Sequence, residues 1–587
     1  MNGLKYDRQL RLWSLAGQRS LAEAHVVVLG ATATAAEVLK NLILPGIGFY
    51  TIVDDAPVDD GALGNNFFLS VDDYISHRPL SEALLQHLSA LNPQSNGMAC
   101  VESCVSWVED FLSTGMQARG TVSLDQQWPP PSLILVTPRL PAFLLRRLSV
   151  CLKVQNAPPL LYVQTLGLMG LIHVQEKERL IIHAEPKSET CVEDLRIFNP
   201  FPGLKDWFDA HDPEDDSLFG DDIELHSHIP WIAILYHALQ RLRRERGTPR
   251  LVPRTKVEYD AVRRVVGAFI RRPHPPQEGF MEAMEKCCVI LNRPSLLPSK
   301  VQDILQDPRS DAPCLNGQLV NDHRPLYWLV LHGIKRFMEE NDGVPPFCGY
   351  VPDFTTTTQW YGELRAIYDK KLRDDCKLVY DYAMEAIGGC SYDSSASVVD
   401  ANEISELTRA LVQNIWTLQL VRFGPDLDET ATDAPLRWQC VCHYFDECES
   451  EEERFTVELY MALLAAHQFE EQFGRSPGQL LHPSAEPDAT WVDDSKELLR
   501  IIEEAWQGYR CDTDLTAKAC MEVARFGGGE PAATACIVGA AAAQECIKLV
   551  QHRRVPIQRP LIFDGYRCCF WLVPPPREEV EGVAPTW

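Results

Sequence analysis

His25-Val26-Val27-Val28-Leu29-Gly30-Ala31-Thr32-Ala33-Thr34-Ala35, with apolar residues continuing at helical spacing to Leu44, reads as a buried strand, a tight turn and a helix. Pro45-Gly46 breaks the helix, and Tyr50-Thr51-Ile52-Val53 forms a second strand closed by Asp54. This is the opening unit of a Rossmann-like, mostly parallel sheet. A phosphate-binding turn of that kind reads Gly-x-Gly-x-x-Gly; its second glycine lets pyrophosphate approach the main chain and its third lets helix and strand pack closely. Here Gly30 remains, Ala35 fills the packing role, and Thr32 puts a branched side chain where phosphate should sit. The residues predict the fold with its pocket obstructed. Asp54 stands where a ribose-binding acid belongs, and beside Thr32 it reads as an ordinary strand-end aspartate.

Outward from this unit, residues 1–170 alternate strands and helices, with a buried strand at Pro131–Val136, a helix over Pro141–Val154 and a strand at Pro159–Val163. The sheet is expected to pause near Gly167-Leu168-Met169-Gly170. Residues 171–490 change to helices joined by Pro-, Asp- and Glu-rich loops, which reads as a large, mainly α-helical insertion. Residues 491–587 return to mixed helices and strands. Glu530-Pro531 opens a helix of small residues from Ala532 to Val550, and two strands follow at Arg559–Gly565 and Cys568–Val573. The fold class expected is therefore α/β, one Rossmann-like domain built from both chain ends around a helical insertion.

A chain of 587 residues with 45% apolar content forms several folding units. Its formal charge of −27 argues against nucleic acid or anionic membrane as the main partner, because phosphate-bearing surfaces select basic proteins. Nineteen cysteines without a Cys-x-x-Cys pair, and an N-terminal stretch without a signal-peptide core, lead us to expect a reducing compartment, cytoplasmic or nuclear. None of the cysteines sits between cations or at a helix start in the way a thioester nucleophile would. His226 and His228, beside Pro230, read as capping and packing residues, and Cys440, Cys442, His443 and Cys448 have no usual zinc spacing. The acidic stretches 212–224 and 446–453 read as solvated loops or helix starts.

Several longer strings carry a resemblance. Lys5-Tyr6-Asp7-Arg8-Gln9-Leu10-Arg11-Leu12-Trp13, followed by Gly17 and a helix, stands before the first strand; Lys40–Gly48, Gly64–Leu69, Cys191–Arg196, His226–Trp231, Val351–Asp353 and Arg525–Glu545 follow in order. Together these resemble the enzymes that activate ubiquitin-like proteins, and most closely the regulatory subunits of the heterodimeric neddylation activating enzyme. The resemblance implies a catalytic subunit as partner, which binds ATP and magnesium, adenylates the ubiquitin-like protein of neddylation and captures it on a cysteine. It implies that this chain binds no cofactor and no metal itself. At the family's nucleotide positions the sequence departs: the arginine of the Asn-Arg-Gln-Phe-Leu string is Asn66, and the metal-binding aspartate after the Leu133–Val136 strand is Thr137. A hydroxyl cannot replace a carboxylate for a hard divalent ion. Thr32, Asn66 and Thr137 thus all subtract from one function.

Arg8 is retained. By resemblance it crosses the dimer to the ATP phosphates in the partner's site, an arginine finger of a kind worth roughly 10³ to 10⁵ in rate in nucleotide hydrolases. Spacing alone allows a plainer reading in which Arg8 and Arg11 lie on the solvent face of a helix. Three other functions compete: a self-sufficient homodimeric adenylating enzyme, a structural adaptor that never touches nucleotide, and a nicotinamide oxidoreductase. The last requires an open glycine turn. The sumoylation counterpart resembles the first domain but lacks so long an insertion.

Overall fold

The computed structural model describes residues 5–114, 128–152, 157–182, 194–249, 251–272, 276–290, 297–311, 326–388, 401–423, 450–480, 487–505 and 513–573. It divides into two compact units, 1–181 with 421–587 and 182–420.

In the first unit, helix α1 (Asp7–Glu23) leads into β1 (His25–Leu29), helix α2 (Ala33–Ile43) and β2 (Phe49–Val53). The remaining strands of its sheet are β3 (Asn96–Cys100), β4 (Leu133–Val136), β5 (Leu160–Leu166), β6 (Met169–Gln175), β9 (Leu561–Asp564) and β10 (Cys569–Leu572); β7 (Glu178–Ile181) and β8 (Gln419–Arg422) pair separately. The order across the sheet is β10-β9-β6-β5-β4-β1-β2-β3. Strands β1 to β5 run parallel, and β6, β9 and β10 extend the sheet antiparallel. The sheet therefore does not pause at residue 167. Gly167-Leu168 is a two-residue turn into β6, with Gly167 at φ +57° and so close to Phe526 that an added Cβ would lie 2.0 Å from its ring.

Burial on both faces explains the uniformly apolar strands. Val26, Val28, Tyr50, Ile52, Leu133 and Leu135 pack with α2, the Leu80–Ser89 helix and the Ala532–Gln551 helix. On the other face Val27, Leu29, Ile134, Val136 and Tyr162 pack with the Ala142–Cys151, Glu451–Phe473, Pro487–Ala505 and Thr513–Ala524 helices. The sequence places residues 421–490 in the insertion, yet the Glu451–Phe473 helix covers this sheet: Tyr460, Leu463 and Phe469 are buried in its core. Helical periodicity records that one face is buried, but not against which element. The Ala532–Gln551 helix has the length and apolarity of a membrane span, and its packing on α2, β5 and β6 accounts for both.

The second unit is built from helices, among them Trp231–Arg246, Lys256–Phe269, Glu278–Ile290, Tyr327–Glu340, Thr358–Gly388 and Ala401–Gln413. Trp231, Trp328, Phe347 and Tyr368 are fully buried. The acidic stretch starts helices as expected: the Asp215 and Asp222 carboxylates accept the amides of Ser217 and Leu225. His226 accepts from Gln277 and stacks on Phe280 at 4.9 Å, while His228 bonds the Glu224 carbonyl, so both are packing residues. Cys440, Cys442, His443 and Cys448 lie outside the described residues.

Candidate functional site

Register aligns Leu29 with Val53 and with Val136, so Gly30, Asp54 and Thr137 emerge together at the carboxyl edge of the parallel strands, where ligands of such sheets bind. Gly30 has φ +97°, and a Cβ there would lie 2.1 Å from the Thr137 hydroxyl and 2.6 Å from Arg139 Cβ. The turn is covered by its own neighbours. Thr137 is fully buried and donates its hydroxyl to the Leu29 carbonyl at 2.9 Å, which ties β4 to β1.

The amides that follow are already bonded. Asp54, 3% exposed, accepts from Ala31 N at 2.8 Å and from Ala56 N at 3.0 Å. Thr32 is the N-cap of α2; its hydroxyl accepts from Ala35 N at 3.2 Å, so the branched side chain that obstructs the turn also starts the helix. Glu530 reaches in from the far end of the chain: one carboxylate oxygen accepts from Thr34 N at 2.8 Å and from the Thr34 hydroxyl at 3.0 Å, and the Ala33 amide bonds it as well. Helix N-termini bind anions because their first N–H groups have no partner within the helix and the macrodipole is positive there. In this chain a carboxylate of the protein holds that position.

The environment of Glu530 fits the role. Burial raises its pKa, while the Thr34 bonds and the Arg139 charge at the mouth oppose the rise. Glu470, on the Glu451–Phe473 helix, accepts from the Ser476 hydroxyl at 2.5 Å; burial, helped by the Glu530 charge, pushes its pKa up to about 7. A folded pKa above the usual ~4.3 means that the stability of the neutral form is complete below about pH 4 and is lost as pH rises through 7. Glu470→Gln, which cannot ionise, is therefore expected to gain stability over the wild type between pH 4 and 8, on the order of 3 to 4 kcal/mol in total. Thermal unfolding of both proteins across that range checks it; a constant difference would contradict it.

Asn66 ends the short Asp60–Asn65 helix. It is 5% exposed, its Oδ1 accepts from Phe68 N at 3.0 Å, and its Nδ2 is buried without an acceptor among the described residues. The adjacent Phe67 side chain is 83% exposed.

Arg8 does not belong to this edge. The string Asp7–Trp13 is itself the start of α1, which runs through Gly17, rather than a segment preceding a helix. Tyr6, just ahead of it, is buried; its hydroxyl donates to Gln94 at 3.0 Å, accepts from Asn92 at 3.1 Å and lies against Gly46, all at the amino edge of β2 and β3. The opposite edge is about 16 Å away at ~3.3 Å per strand residue. Arg8 thus lies near the amino edge of the sheet, opposite the Gly30 turn. Among the described residues it is exposed and makes no ion pair, whereas Arg11 pairs with Asp7 at 3.0 Å. Leu12 and Leu15 beside it are exposed by 54% and 56%.

The described cysteines of the helical unit do not favour a thiolate. Cys287 is buried, and burial pushes Cys348 and Cys376 up to about 11.

Of these groups the sequence marks Thr32, Asp54, Asn66 and Thr137 but misses Glu530 and Glu470. Glu530 is 496 positions from Thr34, and its only local sign is an acid before Pro531 and a small-residue helix.

The ThiF family profile matches residues 6–214. Along nearly its whole length the chain is similar to the NEDD8-activating enzyme E1 regulatory subunit of Xenopus laevis, 30% identical with 96% of each chain covered. The chain belongs to this family of regulatory subunits. The zebrafish (Danio rerio) regulatory subunit is 28% identical over 96% of each chain, and AXR1 of Arabidopsis thaliana is 27% identical over 96% of this chain and 94% of its own. The helical unit is therefore shared by the family and is not an insertion peculiar to this sequence.

Proposed function

We propose that this chain is the non-catalytic half of a heterodimeric NEDD8-activating enzyme, that it holds no nucleotide of its own, and that it lends Arg8 to the ATP site of a catalytic partner. The observation that carries this reading is the occupation of the α2 N-terminus by Glu530, with Asp54 and Thr32 taking the neighbouring amides. A triphosphate with its magnesium does not fit these groups. The anion would meet a carboxylate at the helix start, and Thr137 offers the metal a buried hydroxyl already bonded to Leu29. The same groups weigh against a self-sufficient homodimer and against nicotinamide binding.

Arg8 at the amino edge, without an ion pair among the described residues and flanked by exposed Leu12 and Leu15, supports a subunit contact at α1. Catalysis of adenylation and the thioester cysteine would belong to the partner, together with ATP and magnesium; NEDD8 would be the protein activated. The buried, reduced thiols of Cys104, Cys348 and Cys546 suit a cytoplasmic or nuclear protein. Co-purification with a catalytic subunit, followed by NEDD8 adenylation with and without this chain, tests the reading. Full activity of the partner alone would overturn it.

A further inference from the structure

In the helical unit the Thr358–Gly388 and Ala401–Gln413 helices border a cavity of about 680 Å³. Arg365, Asp369, Arg373 and Lys377 follow one another at four-residue intervals along one side, and Arg409 and Glu406 face in from the other. Four-residue spacing puts such side chains on one face of a helix. The stripe runs for about 18 Å at 1.5 Å per residue. Arg365 is tied to Asp369 at 3.4 Å; among the described residues Arg373, Lys377 and Arg409 make no ion pair. In a chain of net charge −27 a cluster of such cations around one cavity is a local reversal of sign.

A second observation concerns the wall of the same cavity. Thr408, which lines it, is 1% exposed, and its hydroxyl makes no hydrogen bond among the described residues. A helical threonine can return its hydroxyl to the carbonyl three or four residues back, and a buried donor left unsatisfied destabilises the free protein. Among the described residues the Thr408 hydroxyl makes no such bond.

We infer that this groove is a docking site for an acidic peptide segment of a partner protein, whose carboxylates pair with Arg373, Lys377 and Arg409 and accept from the Thr408 hydroxyl. The shape favours a peptide over a compact phosphate. The cations are drawn out in a line rather than gathered at a point, Asp369 and Glu406 interrupt them, and Leu372 and Tyr380 add apolar wall. A segment with spaced charges tolerates those interruptions, and a dense polyanion does not.

The test is binding of fluorescein-labelled octaglutamate to the full-length chain, followed by anisotropy at low and physiological salt. Binding is expected to weaken as salt rises, and to fall at least about tenfold in the Arg373→Glu/Arg409→Glu variant, while Arg244→Glu/Arg246→Glu on another helix leaves it unchanged. Thr408→Val supplies the more specific readout: it should raise the unfolding temperature, because a buried unsatisfied hydroxyl is gone, and yet weaken octaglutamate about threefold or more. No binding, equal loss in the control pair, displacement by inorganic phosphate at low millimolar concentration, or a Thr408→Val variant that binds as the wild type does would each overturn the proposal.

Discussion

Arg8→Ala is expected to slow adenylate formation in the heterodimer by about 10²-fold while the two subunits assemble as before. The expectation rests on where α1 begins. Tyr6 anchors it to Asn92 and Gln94 at the amino edge of the sheet, away from the turn at Gly30, and the proposed role of the guanidinium is therefore one across a subunit boundary. Arginine offers a permanently charged planar fork that matches phosphate oxygens, and a donor aimed at charge developing in the transition state affects rate more than ground-state binding. The loss should therefore appear in the turnover of ATP–pyrophosphate exchange at saturating ATP. Arg8→Lys keeps the charge without the fork and should recover part of the rate. Arg11→Ala, which removes only an exposed pair with Asp7, should leave it within about twofold. An Arg8→Ala heterodimer that exchanges at the wild-type rate would leave this chain as a structural adaptor.

The second large effect concerns Glu530. Its removal in Glu530→Ala leaves the Ala33 and Thr34 amides at the start of α2 without an acceptor, at a cost of about 1 to 3 kcal/mol for each buried group. Unfolding should shift down by several degrees. Glu530→Gln keeps a carbonyl oxygen for the same amides and should lose less. Added sulfate or phosphate distinguishes an anion seat from generic packing, because an ion that binds the vacated helix start stabilises the variant by mass action. Tens of millimolar sulfate should therefore restore more of the unfolding temperature in Glu530→Ala than it adds to the wild type. Equal shifts in the two proteins would show that the carboxylate does not occupy an anion site.

Much of this architecture is legible in the residues because local chemistry writes it directly. The apolar run 25–29, the break at Pro45-Gly46 and the return of strands near 561 place the sheet and join the two chain ends. What is not legible lies in long-range pairing. The Glu451–Phe473 helix has the same periodicity whether it covers a sheet or another helix, so its sequence groups it with the insertion. Gly167-Leu168 looks like a stop because a two-residue turn and a strand end share their residue types; pairing of β6 with β9 is decided by a segment almost four hundred positions away. At the site, the altered residues tell what has been removed and not what replaces it. Thr32 caps α2, Thr137 binds Leu29, Asn66 folds inward, and the anion position goes to an acid with no motif around it. Altered positions leave visible gaps in a motif, whereas the contacts that fill the gaps are free to come from anywhere in the chain.

In the proposed heterodimer the nucleotide seat of this chain is filled by its own side chains and the partner's is completed by Arg8. Calorimetric titration of the purified heterodimer, and of this chain alone, with ATP and magnesium measures it most directly. One ATP per heterodimer and none on the isolated chain are expected; two per heterodimer, or saturable binding to this chain by itself, would overturn the proposal.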